Sequence, residues 1–128
     1  MFKVIVAGGR DFSDYDLLKS KLDNLLVDRL SVLTTAGDIA VQVVSGTARG
    51  ADKLGEHYAR MNKLHVTQFP ADWQPNGVFD KSAGYKRNAK MAEYADALVA
   101  FWDGKSRGTK HMIDLANKSG IQVRVVNY

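Results

Sequence analysis

The stretch Ala97-Leu-Val-Ala-Phe-Trp-Asp-Gly-Lys-Ser-Arg-Gly-Thr-Lys-His-Met-Ile113 predicts a buried strand, then a turn rich in glycine and charge, then a helix. The strand is apolar through Trp102, and apolar residues recur at helical spacing after Gly108-Thr109. A turn that leads from a strand into a helix N-terminus favours anions, because backbone N–H groups point outward and the first helical turn carries partial positive charge. This stretch therefore predicts an anion-binding loop.

Two other segments have the same design: Val4-Ile-Val-Ala-Gly-Gly-Arg-Asp11 and Val43-Val-Ser-Gly-Thr-Ala-Arg-Gly-Ala-Asp52. The first lacks the spacing of the dinucleotide-binding fingerprint. The second has three residues between its glycines where a P-loop has four, and it continues with Ala-Asp instead of Lys-Ser/Thr. The sequence therefore disfavours a P-loop NTPase but predicts three anion-binding loops in one chain.

Strands and helices alternate along the chain. Apolar runs predict strands at residues 2–7, 41–45, 65–69, 97–102 and 121–126, and helical periodicity predicts helices after Asp14 and at residues 50–62, 85–94 and 108–119. This alternation predicts one α/β domain over residues 1–128, a Rossmann-like three-layer sandwich with a mostly parallel five-stranded sheet. Ligands of such sheets bind beyond the carboxyl ends of the strands, where we expect the three loops to meet.

The composition is that of a globular domain, with 45% hydrophobic residues and no cysteine, which excludes disulfides and thiol catalysis. No apolar run has the character of a signal peptide or a membrane span, so we expect a cytoplasmic protein with no membrane partner.

The formal net charge is +4. Half of the basic residues lie in or beside the predicted loops, forming either an ordinary solvated surface or, as we expect, the mouth of an anion-binding cleft: Arg10, Arg49, Lys81, Lys86, Arg87, Lys90, Lys105, Arg107 and Lys110.

Residues 71–84 form a long irregular connection, and its aromatic residues Trp73 and Phe79 indicate packing or ligand contact more than disorder.

His57 and His65 stand alone, and we interpret both as structural. No two histidines have metal-ligand spacing and no Ser/His/Asp arrangement is present, so we expect neither a metal nor a required cofactor.

Five ordered motifs run along nearly the whole chain. Together they resemble the SLOG superfamily, in particular its branch of small bacterial and phage proteins related to YspA and YpsA. The superfamily is named after Smf (DNA-processing protein A) and LONELY GUY. The resemblance implies a Rossmann-like fold that binds nucleotides or nucleotide-derived ligands, and some members cleave the N-glycosidic bond of the ligand. The motifs are Gly8-Gly9-Arg10-Asp11-Phe12, Ser45-Gly46-Thr47-Ala48-Arg49-Gly50-Ala51-Asp52, Pro70-Ala71-Asp72-Trp73, Arg87-Asn88-Ala89-Lys90-Met91 and Trp102-Asp103-Gly104-Lys105-Ser106-Arg107-Gly108-Thr109.

The hydrolase branch of this superfamily carries Arg-Lys-x-x-Met and Pro-Gly-Gly-x-Gly-Thr-x-x-Glu. Arg87 and Met91 match the first motif, and Gly108-Thr109 matches the Gly-Thr of the second. Lys105-Ser106 replaces the paired glycines, and Met112 occupies the position of the catalytic Glu. A thioether cannot transfer a proton, so any cleavage would need another acid or base. The candidates are Asp103, Asp52 and His111. The sequence therefore leaves undecided whether the protein is an enzyme.

The loops and the resemblance predict a nucleotide-derived small ligand, whose phosphate lies on Gly108-Thr109 and Arg87 and whose base lies near Trp102 or Trp73. The protein would then be a sensor, carrier or regulator. The residues expected to bind this ligand are Gly8, Gly9, Arg10, Asp11, Ser45, Gly46, Thr47, Arg49, Gly50, Arg87, Asn88, Trp102, Asp103, Gly104, Ser106, Gly108 and Thr109.

We consider two alternative functions, in order of decreasing preference. The first is a phosphoribohydrolase-like nucleoside-phosphate N-glycosidase with a non-standard catalytic residue. The second is single-stranded DNA binding, which the sequence pI of about 9.4 favours slightly, although no basic run with interleaved aromatics is present. Relatives commonly pair through helices, so we also expect a homodimer, with Leu18, Leu22 and Leu25 serving either the core or the partner.

Overall fold

The computed structural model describes residues 1–128 and contains five strands and four α-helices. A short 3-10 turn at Pro75–Gly77 lies in the long connection before the third helix. None of the helices is both long enough and apolar enough to cross a lipid bilayer. In chain order the elements are β1 (Phe2–Gly8), α1 (Tyr15–Leu25), β2 (Val41–Ser45), α2 (Ala51–Met61), β3 (His65–Gln68), α3 (Ala83–Tyr94), β4 (Ala97–Trp102), α4 (Arg107–Ser119) and β5 (Gln122–Asn127).

The strands form one sheet in the order β3-β2-β1-β4-β5. The predicted Rossmann-like three-layer α/β sandwich is confirmed, and the sheet is more regular than expected, because every neighbouring pair of strands is parallel. The chain moves outward from β1 to β3 on one side and from β4 to β5 on the other. The switch in strand order therefore lies between β1 and β4, where the carboxyl ends of the two strands open a crevice.

The two faces of the sheet carry separate apolar cores, as the period-2 alternation of strand side chains requires. On one face Val4 and Val6 of β1 pack with Leu18 and Leu22 of α1, while Ile5 on the other face joins the layer of α3 and α4. Leu18 and Leu22 are completely buried, so this side of α1 belongs to the core of the same chain. The expected homodimer stays a prediction, and these leucines are not its contact surface.

Element boundaries differ from the predicted ones by one or two residues. The third helix begins at Ala83, two residues before the predicted start, after Asp80 accepts hydrogen bonds from the amide and hydroxyl of Ser82. The fourth begins at Arg107, because the hydroxyl of Ser106 accepts from the amide of Thr109 at 3.5 Å.

At the start of α2, Gly50 brings the second glycine loop into contact with Gly9 and Arg10 of the first. Its backbone has φ +82°, and a side chain there would overlap the carbonyl of Gly9 and the backbone of Arg10. The same close approach lets the amide of Ala51 donate to the carbonyl of Gly9 at 3.2 Å. Only glycine meets both the left-handed φ and the lack of space.

A Gly50→Ala variant should therefore lose stability for two reasons, strain and collision, whereas Gly37→Ala should meet strain alone. Gly37 has φ +88° but no atom within 4 Å of the position of a Cβ. We expect Gly37→Ala to cost about 1 kcal/mol and Gly50→Ala about 3 kcal/mol or more, measured by urea unfolding. Equal losses of stability in the two variants would contradict this prediction, because they would show that Gly9 and Arg10 move away from residue 50 at no cost.

Candidate functional site

A cleft of about 390 Å³ opens at the carboxyl edge of the sheet, on the side covered by α3 and α4. We call it the switch-point cleft, because it lies at the ends of β1 and β4. Its apolar floor includes Ala7, Met91 and Met112. The other residues that line it are Gly8, Arg10, Ala48, Asp52, Trp73, Lys81, Gly84, Tyr85, Arg87, Asn88, Ser106, Gly108 and Thr109.

The loop after β1, residues 9–14, is held against the end of β4. The amide of Gly9 donates to the carbonyl of Phe101 at 3.1 Å, and the buried ring of Phe12 stacks on Phe101 with centroids 4.9 Å apart. Asp11 accepts a hydrogen bond at 3.0 Å from the phenol of Tyr128 and is not part of the cleft lining. Arg10 lines the cleft, is exposed, and has no hydrogen-bond partner within the protein.

The loop after β2, residues 46–50, is held by two buried carboxylates of α2. Asp52 accepts from the amide of Ala48 at 3.2 Å, and Glu56 accepts from the hydroxyl of Ser45 at 2.6 Å. The hydroxyl of Ser45 in turn accepts from the amide of Thr47, whose φ is +66°. These bonds fix an uncommon left-handed backbone in the loop behind the cleft.

Glu56 is a residue that sequence reasoning missed. It is only 3% exposed, and besides the bond from Ser45 it accepts from the side-chain amide of Gln68 at 3.1 Å and from the ammonium of Lys53 at 3.4 Å. A buried carboxylate needs such partners. The available signal was its position four residues after Asp52, which places both acids on the same face of α2.

Arg87 and Asn88 on α3 connect the loop after β2 to the start of α4. Arg87 donates through Nη1 to the carbonyl of Gly46 and through Nε to the side-chain oxygen of Asn88 at 3.0 Å. The amide nitrogen of Asn88 lies 3.4 Å from the carbonyl of Gly108 and 3.2 Å from Nδ1 of His111. The side chains of one helical turn thus tie two loops into a single wall.

The loop after β4, residues 103–106, is closed by its own side chains. Asp103 accepts from the amides of Lys105 and Ser106, both at 2.8 Å. The indole of Trp102 donates to the carbonyl of Ser106 at 3.1 Å and packs on the apolar layer under α4, outside the cleft lining. The amide of Gly108, at the first turn of α4, has no acceptor within the protein and remains available to an anion.

Charge in the cleft is mixed but predominantly positive. Arg10, Lys81 and Arg87 line it together with one carboxylate, Asp52. Burial raises the pKa of Asp52 to about 6, against the opposing effects of the Ala48 amide and the nearby Arg87. Burial also lowers the pKa of Arg87, Asp52 opposes this shift, and the neighbouring Arg10 adds to it. Two guanidinium groups close enough to repel each other would both gain from an anion between them.

The structure divides the predicted ligand-binding residues into two groups. Those that line the cleft are Gly8, Arg10, Arg87, Asn88, Ser106, Gly108 and Thr109. Those that shape the loops behind it, without lining it, are Gly9, Asp11, Ser45, Gly46, Thr47, Arg49, Gly50, Trp102, Asp103 and Gly104. Trp73, Lys81, Gly84 and Tyr85 complete the lining from the long connection and the start of α3.

The three candidate catalytic groups have different surroundings. Asp52 lines the cleft and has a raised pKa. Asp103 is bound to the amides of Ser106 and Lys105, which hold its pKa low, and burial lowers the pKa of His111. Neither Asp103 nor His111 lines the cleft. Met112 does, and no group of three or more metal-ligating side chains gathers in the structure.

Comparison with known proteins assigns the chain to a family. Residues 2–75 match the YAcAr family, described as the YspA, cpYpsA-related SLOG family. The chain belongs to this family. The Gene 61 protein of Mycobacterium phage D29 is 34% identical to this YAcAr protein, over 96% of the chain and 94% of the phage protein. The resemblance to the SLOG superfamily is therefore confirmed.

Two solved structures share the fold of this YAcAr protein at 17% identity. DNA processing protein A (DprA) from Streptococcus pneumoniae matches with a TM-score of 0.72, covering 100% of this chain and 51% of that one. DprA from Helicobacter pylori matches with a TM-score of 0.62, covering 99% of this chain and 66% of that one. The chain thus spans about half the length of the first DprA, and the likeness is one of fold.

The buried position of Asp52 generates a prediction about pH. The folded state raises the pKa of this carboxyl from 3.8 to about 6, so folded Asp52 holds its proton to a higher pH than the unfolded chain does. Wild-type protein should therefore lose stability as the pH rises through this range. Asp52→Asn keeps an oxygen for the amide of Ala48 and cannot ionise.

We expect Asp52→Asn to gain stability relative to wild type between about pH 4 and pH 7, by up to about 3 kcal/mol. Urea unfolding at a series of pH values measures this difference. The exposed Asp28→Asn is the control for losing one negative charge. A stability difference that does not change with pH would contradict the assigned burial effect.

Proposed function

We propose that this YAcAr protein binds a phosphate-bearing, nucleotide-derived small molecule in the switch-point cleft. One observation carries the proposal: the guanidinium groups of Arg10 and Arg87 and the unpaired amide of Gly108 converge on a single cleft. The volume of about 390 Å³ suits a compact ligand, since small-molecule sites commonly enclose about 300–1,000 Å³. Its position at the switch in strand order is where open parallel sheets bind ligands.

The two arginines are suited to different tasks. Arg87 is committed to the carbonyl of Gly46 and to Asn88, so it offers a positive charge in a fixed place. Arg10 is exposed and forms no bond within the protein, so its guanidinium is free to bind a phosphate through two parallel hydrogen bonds. We therefore assign the main phosphate contact to Arg10 and the amide of Gly108, and the electrostatic support to Arg87.

Binding without cleavage is the role that the lining residues favour. Met112 stands where the hydrolase branch has its Glu, and it lines the cleft as a buried thioether. Asp52 is the one carboxylate in the cleft, and its Oδ2 is engaged by the amide of Ala48, which holds the loop after β2. The protein would then act as a sensor, carrier or regulator that responds to the ligand.

A second candidate function is the binding of single-stranded DNA. It is supported by the shared fold of the H. pylori DprA, whose structure is described as showing a unique single-stranded DNA binding mode. The formal net charge of +4 is compatible with a polyanionic partner. In this case the cleft would hold one nucleotide of a longer strand.

Replacing Arg10 with alanine tests the proposed site. Titration calorimetry with AMP, GMP, CMP, UMP and ADP-ribose should find at least one ligand for the wild type. Arg10→Ala should bind that ligand about tenfold more weakly or worse, because a hydrogen bond to a charged group contributes about 1.5–3 kcal/mol. Lys21→Ala is the control, since it removes one exposed positive charge from α1 outside the cleft.

The same samples separate the alternatives. Chromatography of the incubated nucleotide should find no free base, and release of base would favour the N-glycosidase. Tight binding of an oligothymidine that weakens steeply between about 50 and 200 mM salt would favour the DNA function if no mononucleotide binds. A wild-type protein that binds none of these compounds would overturn the proposal.

A further inference from the structure

We infer that the indole of Trp73 and the bare backbone at Gly84 form a base slot, in which a nucleobase of the bound ligand stacks. This inference rests on the proposed function and names the second chemical group that the ligand must carry. The sequence left Trp73 and Trp102 as equal candidates for a contact with the base. The structure separates them, because Trp73 lines the switch-point cleft and Trp102 does not.

The indole of Trp73 is partly open although its backbone is firmly held. The side chain is 40% exposed, while the carbonyl of Trp73 accepts from the amide of Asp80 at 2.7 Å and so closes the segment between them. Asp80 is itself held by Lys86 at 2.6 Å and by Ser82. The ring of Phe79 lies nearly parallel to the indole, 12° from its plane and with centroids 6.3 Å apart. The protein thus presents an apolar ring at the mouth of a polar cleft.

Gly84 keeps the space beside this ring empty. It lies in the first turn of α3 without the positive φ that would require glycine, and alanine would fit its backbone. A Cβ at this position would lie 3.4 Å from Cη2 of Trp73 and 3.7 Å from Nη2 of Arg87. The missing side chain therefore widens the cleft by about the size of a methyl group, beside the edge of the indole and the guanidinium group of Arg87.

The chemistry of the slot selects a planar aromatic ring. Trp73 offers a π surface, and the exposed ring of Tyr85 also lines the cleft next to Gly84 in the chain. Bases stack on such side chains irrespective of their identity, because every base has a π face. With a phosphate on Arg10 and Gly108, the ligand class becomes a nucleoside phosphate, and a sugar phosphate without a base should bind less well.

A comparison of two ligands isolates the base contact. AMP, or whichever mononucleotide binds best, and ribose 5-phosphate share the phosphate and the ribose but differ in the base. Trp73→Ala should weaken nucleotide binding about tenfold and ribose 5-phosphate binding less than twofold, since stacking on an aromatic side chain is lost only for the base. Arg10→Ala should weaken both ligands by similar factors. Val78→Ala, at an exposed position of the same segment that does not line the cleft, should change neither.

Gly84→Ala provides a second variant in which stability and binding should move in opposite directions. The melting temperature should stay equal or rise by about 2 °C, because alanine restricts the unfolded chain and adopts a helical backbone without strain. Nucleotide affinity should fall at least threefold as the methyl group fills the gap, while ribose 5-phosphate affinity stays unchanged. Reduced binding in a protein at least as stable as wild type cannot be ascribed to misfolding.

The outcomes that overturn the base slot are distinct from the failure of the proposed function. If the wild type binds both ligands but Trp73→Ala weakens both equally or neither, Trp73 does not contact the base. If Gly84→Ala leaves nucleotide affinity unchanged, the gap beside Trp73 is not occupied. If the wild type binds no nucleotide and no ribose 5-phosphate, the proposed function itself fails, and the slot with it.

Discussion

The contact on which the switch-point cleft depends is the hydrogen bond from the guanidinium of Arg87 to the carbonyl of Gly46. It joins α3, which forms one wall of the cleft, to the loop after β2. A Cβ at residue 46 would collide with this guanidinium and lie 2.9 Å from a carboxylate oxygen of Asp52, so a side chain there would displace both groups from the loop. Asn88 extends the connection to the carbonyl of Gly108. Two loops that are distant in sequence are thereby held at one mouth.

Buried acids stabilise the loop geometry at a cost to the fold. Asp52 and Glu56 are 5% and 3% exposed, and each is compensated by hydrogen bonds from the loop after β2 or from nearby side chains. Burying carboxylates is unfavourable unless they are paired. We expect such an arrangement where function needs a fixed loop geometry and the fold does not need its maximum stability. A loop that is already ordered loses little entropy when a ligand arrives, and this favours binding.

Membership of the YAcAr family and the fold shared with DprA establish the scaffold of this protein and not its activity. Function therefore has to be argued from the site more than from the fold. Here the site combines a free arginine, a fixed arginine, an open helix end and an aromatic ring next to a gap. The floor at Met112 lacks the proton-transferring group of the hydrolase branch. That combination is the basis of the proposed recognition of a nucleoside phosphate.

The sequence by itself determined the order of strands and helices, the Rossmann-like class and the three glycine loops, because strand periodicity, apolar runs and glycine spacing are local properties. It also named Arg10, Arg87 and Gly108 as candidates for ligand binding, and all three line the cleft. Only the tertiary structure decided which of the remaining candidates face the cleft: Asp52 lines it while Asp103 closes its own turn, and Trp73 lines it while Trp102 packs under α4. Those choices depend on how the helices and the long connection pack against the sheet, and this packing is decided by contacts between segments that are far apart in the chain.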